Sequence, residues 1–166
     1  LKYKKKFSIL SEEAGYIKND DQQNTWVIDP IDGTSNFLHG VPHFCISIAL
    51  KSENEITCGL IFDPIKNELF YAEKNQGAFF NNQRIKVSKK INIEECLFAT
   101  NSDGIKKTNI FSRVTGSAAL DLAYVAAGRF DGYFQNGLNL WDISAGVLIV
   151  NEAGGKTSDI DFEKYE

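Results

Sequence analysis

At 166 residues, 43% hydrophobic and 24% charged, the chain has the composition of one globular domain rather than of a disordered or fibrous one. A formal net charge of −4, with only short basic runs at Lys4, Lys5 and Lys6 and around Arg84, Lys86, Lys89 and Lys90, argues against direct nucleic-acid binding, which needs clustered Lys and Arg. No stretch approaches the roughly 18–20 apolar residues of a membrane span. Three scattered cysteines, Cys45, Cys58 and Cys96, read as reduced core residues of a cytoplasmic protein.

In chain order, residues 7–10 form a strand-like run that ends at Ser11, Glu12 and Glu13. Residues 26–28 predict a strand that stops there, because Pro30 biases Asp29 towards extended geometry. Two apolar, β-branched runs at 44–50 and 56–62 flank a polar loop at 51–55, which predicts an antiparallel hairpin. Runs at 69–72 and 78–80 continue the meander through turns at 63–67 and 74–77.

The second half changes character. A brief strand at 97–100, a turn at Asp103 and Gly104 and a strand at 111–115 lead into a helix over 118–127, capped by Ser117 and stopped by Gly128. A strand at 133–135 and an apolar helix over 141–152, ended by Gly154 and Gly155, complete the pattern. The fold class is therefore α+β or α/β, with an antiparallel meander first and mixed α/β structure after it. The chain reads as a single domain over 1–166, with a soft internal boundary near 86–96.

The chemistry concentrates in Asp29-Pro30-Ile31-Asp32-Gly33-Thr34, where two carboxylates follow a strand around a Pro that fixes φ and a Gly that permits a tight turn. Such a loop can aim carboxylates, a carbonyl and a hydroxyl at one point, the donor set that Mg²⁺ takes. Asp-Pro and Asp-Gly are also ordinary turn dipeptides. A built-in comparison is present: Asp63-Pro64-Ile65 repeats the opening, but Lys66 replaces the second carboxylate, and a plain hairpin turn is expected there. Asp142 opens the last helix, where it could serve simply as an N-terminal cap. His39 and His43 read as polar loop residues rather than ligands.

Together these segments resemble the inositol monophosphatase family. The likeness rests on Trp26-Val27-Ile28-Asp29-Pro30-Ile31-Asp32-Gly33-Thr34-Ser35-Asn36-Phe37, on Trp141-Asp142-Ile143-Ser144-Ala145-Gly146 through Glu152-Ala153-Gly154-Gly155, and on Val114-Thr115-Gly116-Ser117-Ala118-Ala119. The resemblance is strongest to its bacterial inositol-1-monophosphatase branch and implies a layered α/β sandwich of the sugar-phosphatase type.

It also implies a hydrolase that uses two or more Mg²⁺ ions to cleave a phosphate monoester by water attack, acting on a small phosphorylated polyol or sugar such as inositol 1-phosphate. Glu12, Asp29 and the Ile31 carbonyl would hold one ion, and Asp29, Asp32 and Asp142 another. Thr34 and Asp32 would serve catalysis, with Thr34 bonding the attacking water. The amides of Gly33 and Thr34 would receive phosphate oxygens, while Gly116, Ser117, Ala118 and Gln135 would contact the alcohol. Members that favour inositol phosphate usually carry Glu where Gln135 stands, so a sugar phosphate fits as well. Intact relatives are expected to be homodimers.

The chain contains no methionine and begins at Leu1, and the helical region that precedes the Glu12 segment in the family, with a water-orienting Asp, is absent from it. It therefore reads as a fragment, or as a shortened and decayed copy. Two other readings stand beside the phosphatase: a non-catalytic remnant or interaction protein that keeps its metal, and a fructose-1,6-bisphosphatase or 3′-phosphoadenosine nucleotide phosphatase branch.

Overall fold

The computed structural model describes residues 6–101 and 110–158. The turn expected at Asp103 and Gly104 lies outside the described residues. Among them, eight strands form the main sheet: β1 (Phe7–Ser11), β2 (Gly15–Ile17), β3 (Asp21–Asp32), β4 (Cys45–Ser52), β5 (Glu55–Asp63), β6 (Glu68–Glu73), β7 (Gly77–Phe80) and β8 (Gln83–Arg84), in the order β2-β1-β3-β4-β5-β6-β7-β8. From β3 to β8 every neighbour is antiparallel, as the meander predicts, whereas β1 lies parallel to β3. A short helix, α1 (Thr34–Leu38), follows β3.

The second half supplies β9 (Leu97–Thr100), β10 (Phe111–Arg113), α2 (Ala118–Ala126), β11 (Gly132–Phe134) and α3 (Leu140–Glu152). Strands β10, β9 and β11 make a small parallel sheet. Helix α3 lies across β4, β5 and β6, α2 packs beside α3, and β11 touches α2. This is the expected layered sandwich.

The core sits where alternation places it. Ile61, Phe70, Ala72 and Ala78 face the helices and meet Leu120, Ala145 and Ile149, all buried. Full burial of a side chain such as Phe70 stabilises the fold by about 1.5–3 kcal/mol. Close helix contact depends on one missing methyl: a Cβ at Gly146 would lie 2.5 Å from Leu122 Cβ. Cys45 and Cys96 are buried and Cys58 half-buried, all as free thiols. No described helix is long and apolar enough to cross a membrane.

Several boundaries depart from expectation. Strand β3 does not stop at Ile28 but runs through Pro30 to Asp32, because a β-bulge absorbs the proline. Strand β10 ends at Arg113 rather than at 115, since Thr115 turns its hydroxyl to Asp121. Strand β11 covers Gly132–Phe134, which leaves Gln135 just beyond its end. Helix α3 begins one residue early, at Leu140, because the cap is Asn139 and not Asp142.

Candidate functional site

The bulge in β3 makes the acidic loop. Asp29 pairs with Ser47 and Asp32 with Cys45, so three steps along β3 match two along β4. In a regular strand, residues three apart face opposite sides of the sheet. The extra residue cancels that alternation and turns both carboxylates to the helix-covered face. There Asp29 is 2% exposed and Asp32 8%.

Each carboxyl has defined partners. Asp29 Oδ1 accepts the Ile31 N–H at 2.9 Å, and the exposed Thr34 hydroxyl donates to the Ile31 carbonyl at 2.9 Å. Asp32 Oδ2 accepts the Ser117 hydroxyl, the Ala119 N–H at 2.8 Å and the Cys45 thiol at 3.7 Å. Ser117 is also the N-cap of α2, accepting from Leu120 N–H, and Ala118 is the first helical residue. The candidate substrate contact Ser117 and the candidate ligand Asp32 are thus one hydrogen-bonded unit.

Asp142 sits at the third position of α3 in a reciprocal capping box: its Oδ2 accepts Asn139 N–H at 2.6 Å while the Asn139 side chain takes the Asp142 N–H. Glu12 is exposed in the turn after β1, its N–H bonded to Ile28 O at 3.2 Å. The charges of Asp32 and Glu12 act on Asp29 and Asp142. Burial, then the charges of Asp32 and Glu12, push the Asp29 carboxyl up to about 8. Burial also raises Asp32 despite the bonds it receives, and raises Asp142, which feels Asp32 and Glu12.

Asp63 behaves in the opposite way. Burial alone would raise it, but the Lys66 ammonium at 2.5 Å and the N–H groups of Ile65 and Lys66 hold it below the usual carboxylate range. It makes the plain turn between β5 and β6.

Gly116 stands beside the acids. At φ 89°, any Cβ would lie 2.9 Å from the Asn36 side chain. That close approach lets Asn36 Nδ2 donate to His43 O at 2.8 Å and to Thr115 O at 2.9 Å, tying α1 to the loop before α2. A cavity of about 190 Å³ opens there, lined by Asp32, Gly116, Ser117, Asp121, Gln135 and Asp142 among others. A larger cleft of about 980 Å³ runs between α3 and the small sheet, past Leu122, Val125, Ile143 and Val147. It carries no comparable cluster of chemistry.

Three participants escape sequence reading. Asp121, 4% exposed, accepts the Thr115 hydroxyl at 2.7 Å, and burial followed by the Asp32 charge raises it to about 7. It is the one charged residue in an Ala- and Leu-rich helix, which is the signal that could have found it. Asn36 ties the loops, and Asn139 caps α3; the Asn139-x-x-Asp142 spacing was a visible capping signature.

Among the described residues, no three His, Cys, Asp or Glu side chains already converge as a metal cage. Asp32 and Asp142 are held by protein donors. The donor set nonetheless fits a hard divalent cation. All the groups are oxygens. Among the described residues none of these acids forms an ion pair, and no cationic side chain contributes to the shifts of Asp29, Asp32, Asp121 or Asp142. Buried carboxylates without a positive partner are costly, and a bound cation removes that cost.

Known proteins share this arrangement of segments. Residues 2–165 match the sequence profile of the inositol monophosphatase family. The chain is 41% identical over 170 residues to an inositol-1-monophosphatase of Mesorhizobium japonicum, covering 93% of this chain and 64% of that protein. It is 43% identical over 169 residues to a protein named Nus factor SuhB of Haemophilus influenzae, covering 93% of this chain and 63% of that one. The crystal structure of extragenic suppressor protein suhB from Bartonella henselae superimposes with a TM-score of 0.84 at 45% identity, over 89% of this chain and 62% of that chain. This chain therefore spans somewhat under two thirds of the length of these three. With the profile matched almost end to end and the sandwich shared, the chain belongs to the inositol monophosphatase family.

Proposed function

We propose that this chain carries the metal- and phosphate-binding part of an Mg²⁺-dependent phosphatase that hydrolyses a small phosphorylated polyol or sugar, such as inositol 1-phosphate. The observation that carries the reading is uncompensated acidity: Asp29, Asp32 and Asp142 have raised carboxyls and no cationic partner among the described residues. Glu12, Asp29 and the Ile31 carbonyl would hold one ion, and Asp29, Asp32 and Asp142 a second. When bound, two such ions acidify water and neutralise a departing alkoxide.

The chain's own groups do the positioning. The Thr34 hydroxyl directs its hydrogen to Ile31 O and keeps its lone pairs to accept a hydrogen from the attacking water. The N–H groups of Gly33 and Thr34 open α1, where no helical carbonyl can reach them, and they suit phosphate oxygens. Gly116, Ser117, Ala118 and Gln135 line the cavity in which the alcohol half would sit. The water oxygen bonds phosphorus as the ester P–O bond breaks, and the alcohol leaves with a proton. No phosphoenzyme is expected, because the attacking group in this reading is water.

A second reading, a metal-binding interaction protein without turnover, is favoured by the likeness to a protein named Nus factor SuhB. One experiment separates them: phosphate release from inositol 1-phosphate, fructose 1,6-bisphosphate and 3′-phosphoadenosine 5′-phosphate, with and without Mg²⁺, beside calorimetric Mg²⁺ titration. The phosphatase reading expects Mg²⁺-dependent release that Asp29→Asn and Asp142→Asn abolish. Equal hydrolysis by wild type and both variants would sink the assignment, and Mg²⁺ binding without release would select the second reading.

A further inference from the structure

Asn136-Gly137 is the single Asn-Gly step in the sequence. It lies in the loop between β11 and α3, where its neighbours Gln135 and Leu138 line the cavity beside Asp32. Asn136 and Gly137 are themselves exposed, at the rim of the adjoining larger cleft. Gly137 is at φ 74°, and a Cβ there would meet nothing within 4 Å, so the space beside it is open.

Neither the Asn136 amide nor the Gly137 N–H has a hydrogen-bond partner among the described residues. Other asparagines of the chain are held. Asn36 Nδ2 donates to two carbonyls, Asn81 Oδ1 accepts the Leu69 N–H, and the Asn139 side chain takes the Asp142 N–H. The residues after them, Phe37, Asn82 and Leu140, carry side chains that crowd their own nitrogens, and the Phe37 N–H is bonded to Gly33 O as well.

An asparagine's amide carbon is an electrophile that the next backbone nitrogen reaches through a small, unstrained ring. Glycine hinders that closure least and gives the backbone the freedom to adopt it. The Gly137 nitrogen gives its proton to water and bonds Asn136 Cγ, while the Cγ–Nδ2 bond breaks and ammonia leaves. Water then opens the cyclic imide. Breaking the new nitrogen–Cγ bond yields aspartate, and breaking the original peptide bond yields isoaspartate, whose backbone runs through Cβ and Cγ. Either route leaves a carboxylate, and nothing is oxidised or reduced.

We propose that Asn136 is a site of spontaneous self-modification, which converts the neutral loop between β11 and α3 into one carrying a carboxylate at the rim of the acid-lined cavity, and that the added charge weakens binding of a phosphorylated ligand there. The conversion stands apart from the phosphatase reading, whereas its effect on the ligand rests on that reading. Two consequences for the loop follow. Its negative charge adds to those of Asp32, Asp121 and Asp142 on the cavity wall, and isoaspartate lengthens the tether between β11 and the Asn139 cap of α3.

The test ages the whole chain in warm, mildly alkaline buffer. Digests are read by mass spectrometry for the amide-to-carboxylate mass gain, and by an isoaspartate-specific methyltransferase for the rearranged backbone. Aged wild type should gain aspartate and isoaspartate at position 136 while Asn36, Asn81 and Asn139 keep their amides. Asn136→Gln, which needs a larger ring, and Gly137→Ala, whose methyl crowds the nitrogen, should both lose the conversion. Asn136→Asp, a stable counterpart of the opened product, should raise KM for inositol 1-phosphate about two- to threefold, the order of one solvent-screened charge pair. High salt should remove that rise.

Conversion at 136 no faster than at the three held asparagines overturns the proposal, as does conversion undiminished in Gly137→Ala. Should the Ala variant fail to fold at a positive φ, Asn136→Gln still decides. A KM in Asn136→Asp equal to that of wild type overturns the effect on binding. Conversion at 136 in a chain that releases no phosphate when fresh supports the self-modification and defeats the phosphatase reading instead.

Discussion

Replacing Asp29 with Asn separates two effects that the wild-type carboxyl combines. Asp29 is 2% exposed and is raised from 3.8 to about 8 by burial and then by the charges of Asp32 and Glu12. Below about pH 4 both folded and unfolded chains hold the proton, and it contributes nothing to pH dependence. Between about pH 4 and 8 the unfolded chain gives up the proton and the folded chain keeps it, so stability falls as pH rises; above about pH 8 the loss is complete. A full shift of about four units at 1.36 kcal/mol each is about 5.5 kcal/mol, and sharing of the charge with Asp32 and Glu12, together with access of water, reduces the working figure to about 2 kcal/mol.

Asn cannot ionise, and its Oδ1 can still accept the Ile31 N–H. With a chelator present, Asp29→Asn should melt about 4–8 °C above wild type at pH 8, at roughly 2–4 °C per kcal/mol for a chain of this size, and at the same temperature near pH 4. Mg²⁺ at 100 times its Kd should then raise wild type by about 2.7 kcal/mol and the variant by far less. Circular-dichroism melts in chelator and in Mg²⁺ at both pH values read all four quantities. A variant that melts below wild type in chelator at pH 8, or that gains as much from Mg²⁺, refutes the reasoning.

Asp63→Ala strips a fully buried carboxylate from two N–H groups and the Lys66 ammonium, and should cost about 2–4 kcal/mol while leaving the Mg²⁺-induced rise in Tm unchanged. Gly146→Ala drives a methyl into Leu122, and urea unfolding should show a loss of about 1–3 kcal/mol. Asn36→Ala removes both bonds that tie α1 to the Thr115 loop. It should raise KM for a phosphate ester about tenfold in a release assay, because misplacing substrate-positioning groups costs more than it costs the fold.

The meander and both long helices were legible because burial on one face imposes period-two and helical patterns that survive in any one sequence. Register leaves no such trace. That β3 continues through Pro30 depends on β4 offering Ser47 and Cys45 two residues apart, and only pairing reveals that Asp29 and Asp32 share a face. The parallel placement of β1 against β3 is likewise a tertiary choice. Asp121 stands out in sequence only as the one charged residue of its helix; its significance lies in Thr115 and Asp32, contacts made across a turn that periodicity does not describe.

The two Asp-Pro-Ile segments show why the site could nonetheless be read. Both begin with a carboxylate buried in a strand of the main sheet, and both carboxylates take a backbone N–H two residues on, each at 2.9 Å. Local geometry is therefore common to them. They part at the fourth position, where Lys66 brings a positive charge to Asp63 and Asp32 brings a second negative charge to Asp29. In the first case the buried charge is cancelled and the carboxyl falls below its ordinary range; in the second burial raises the carboxyl, the Asp32 charge adds to that, and it climbs to about 8. A turn needs only the geometry they share. The stretch that departs from neutrality is the one whose ionised form calls for a cation from outside the chain, and that difference is written in a single residue type.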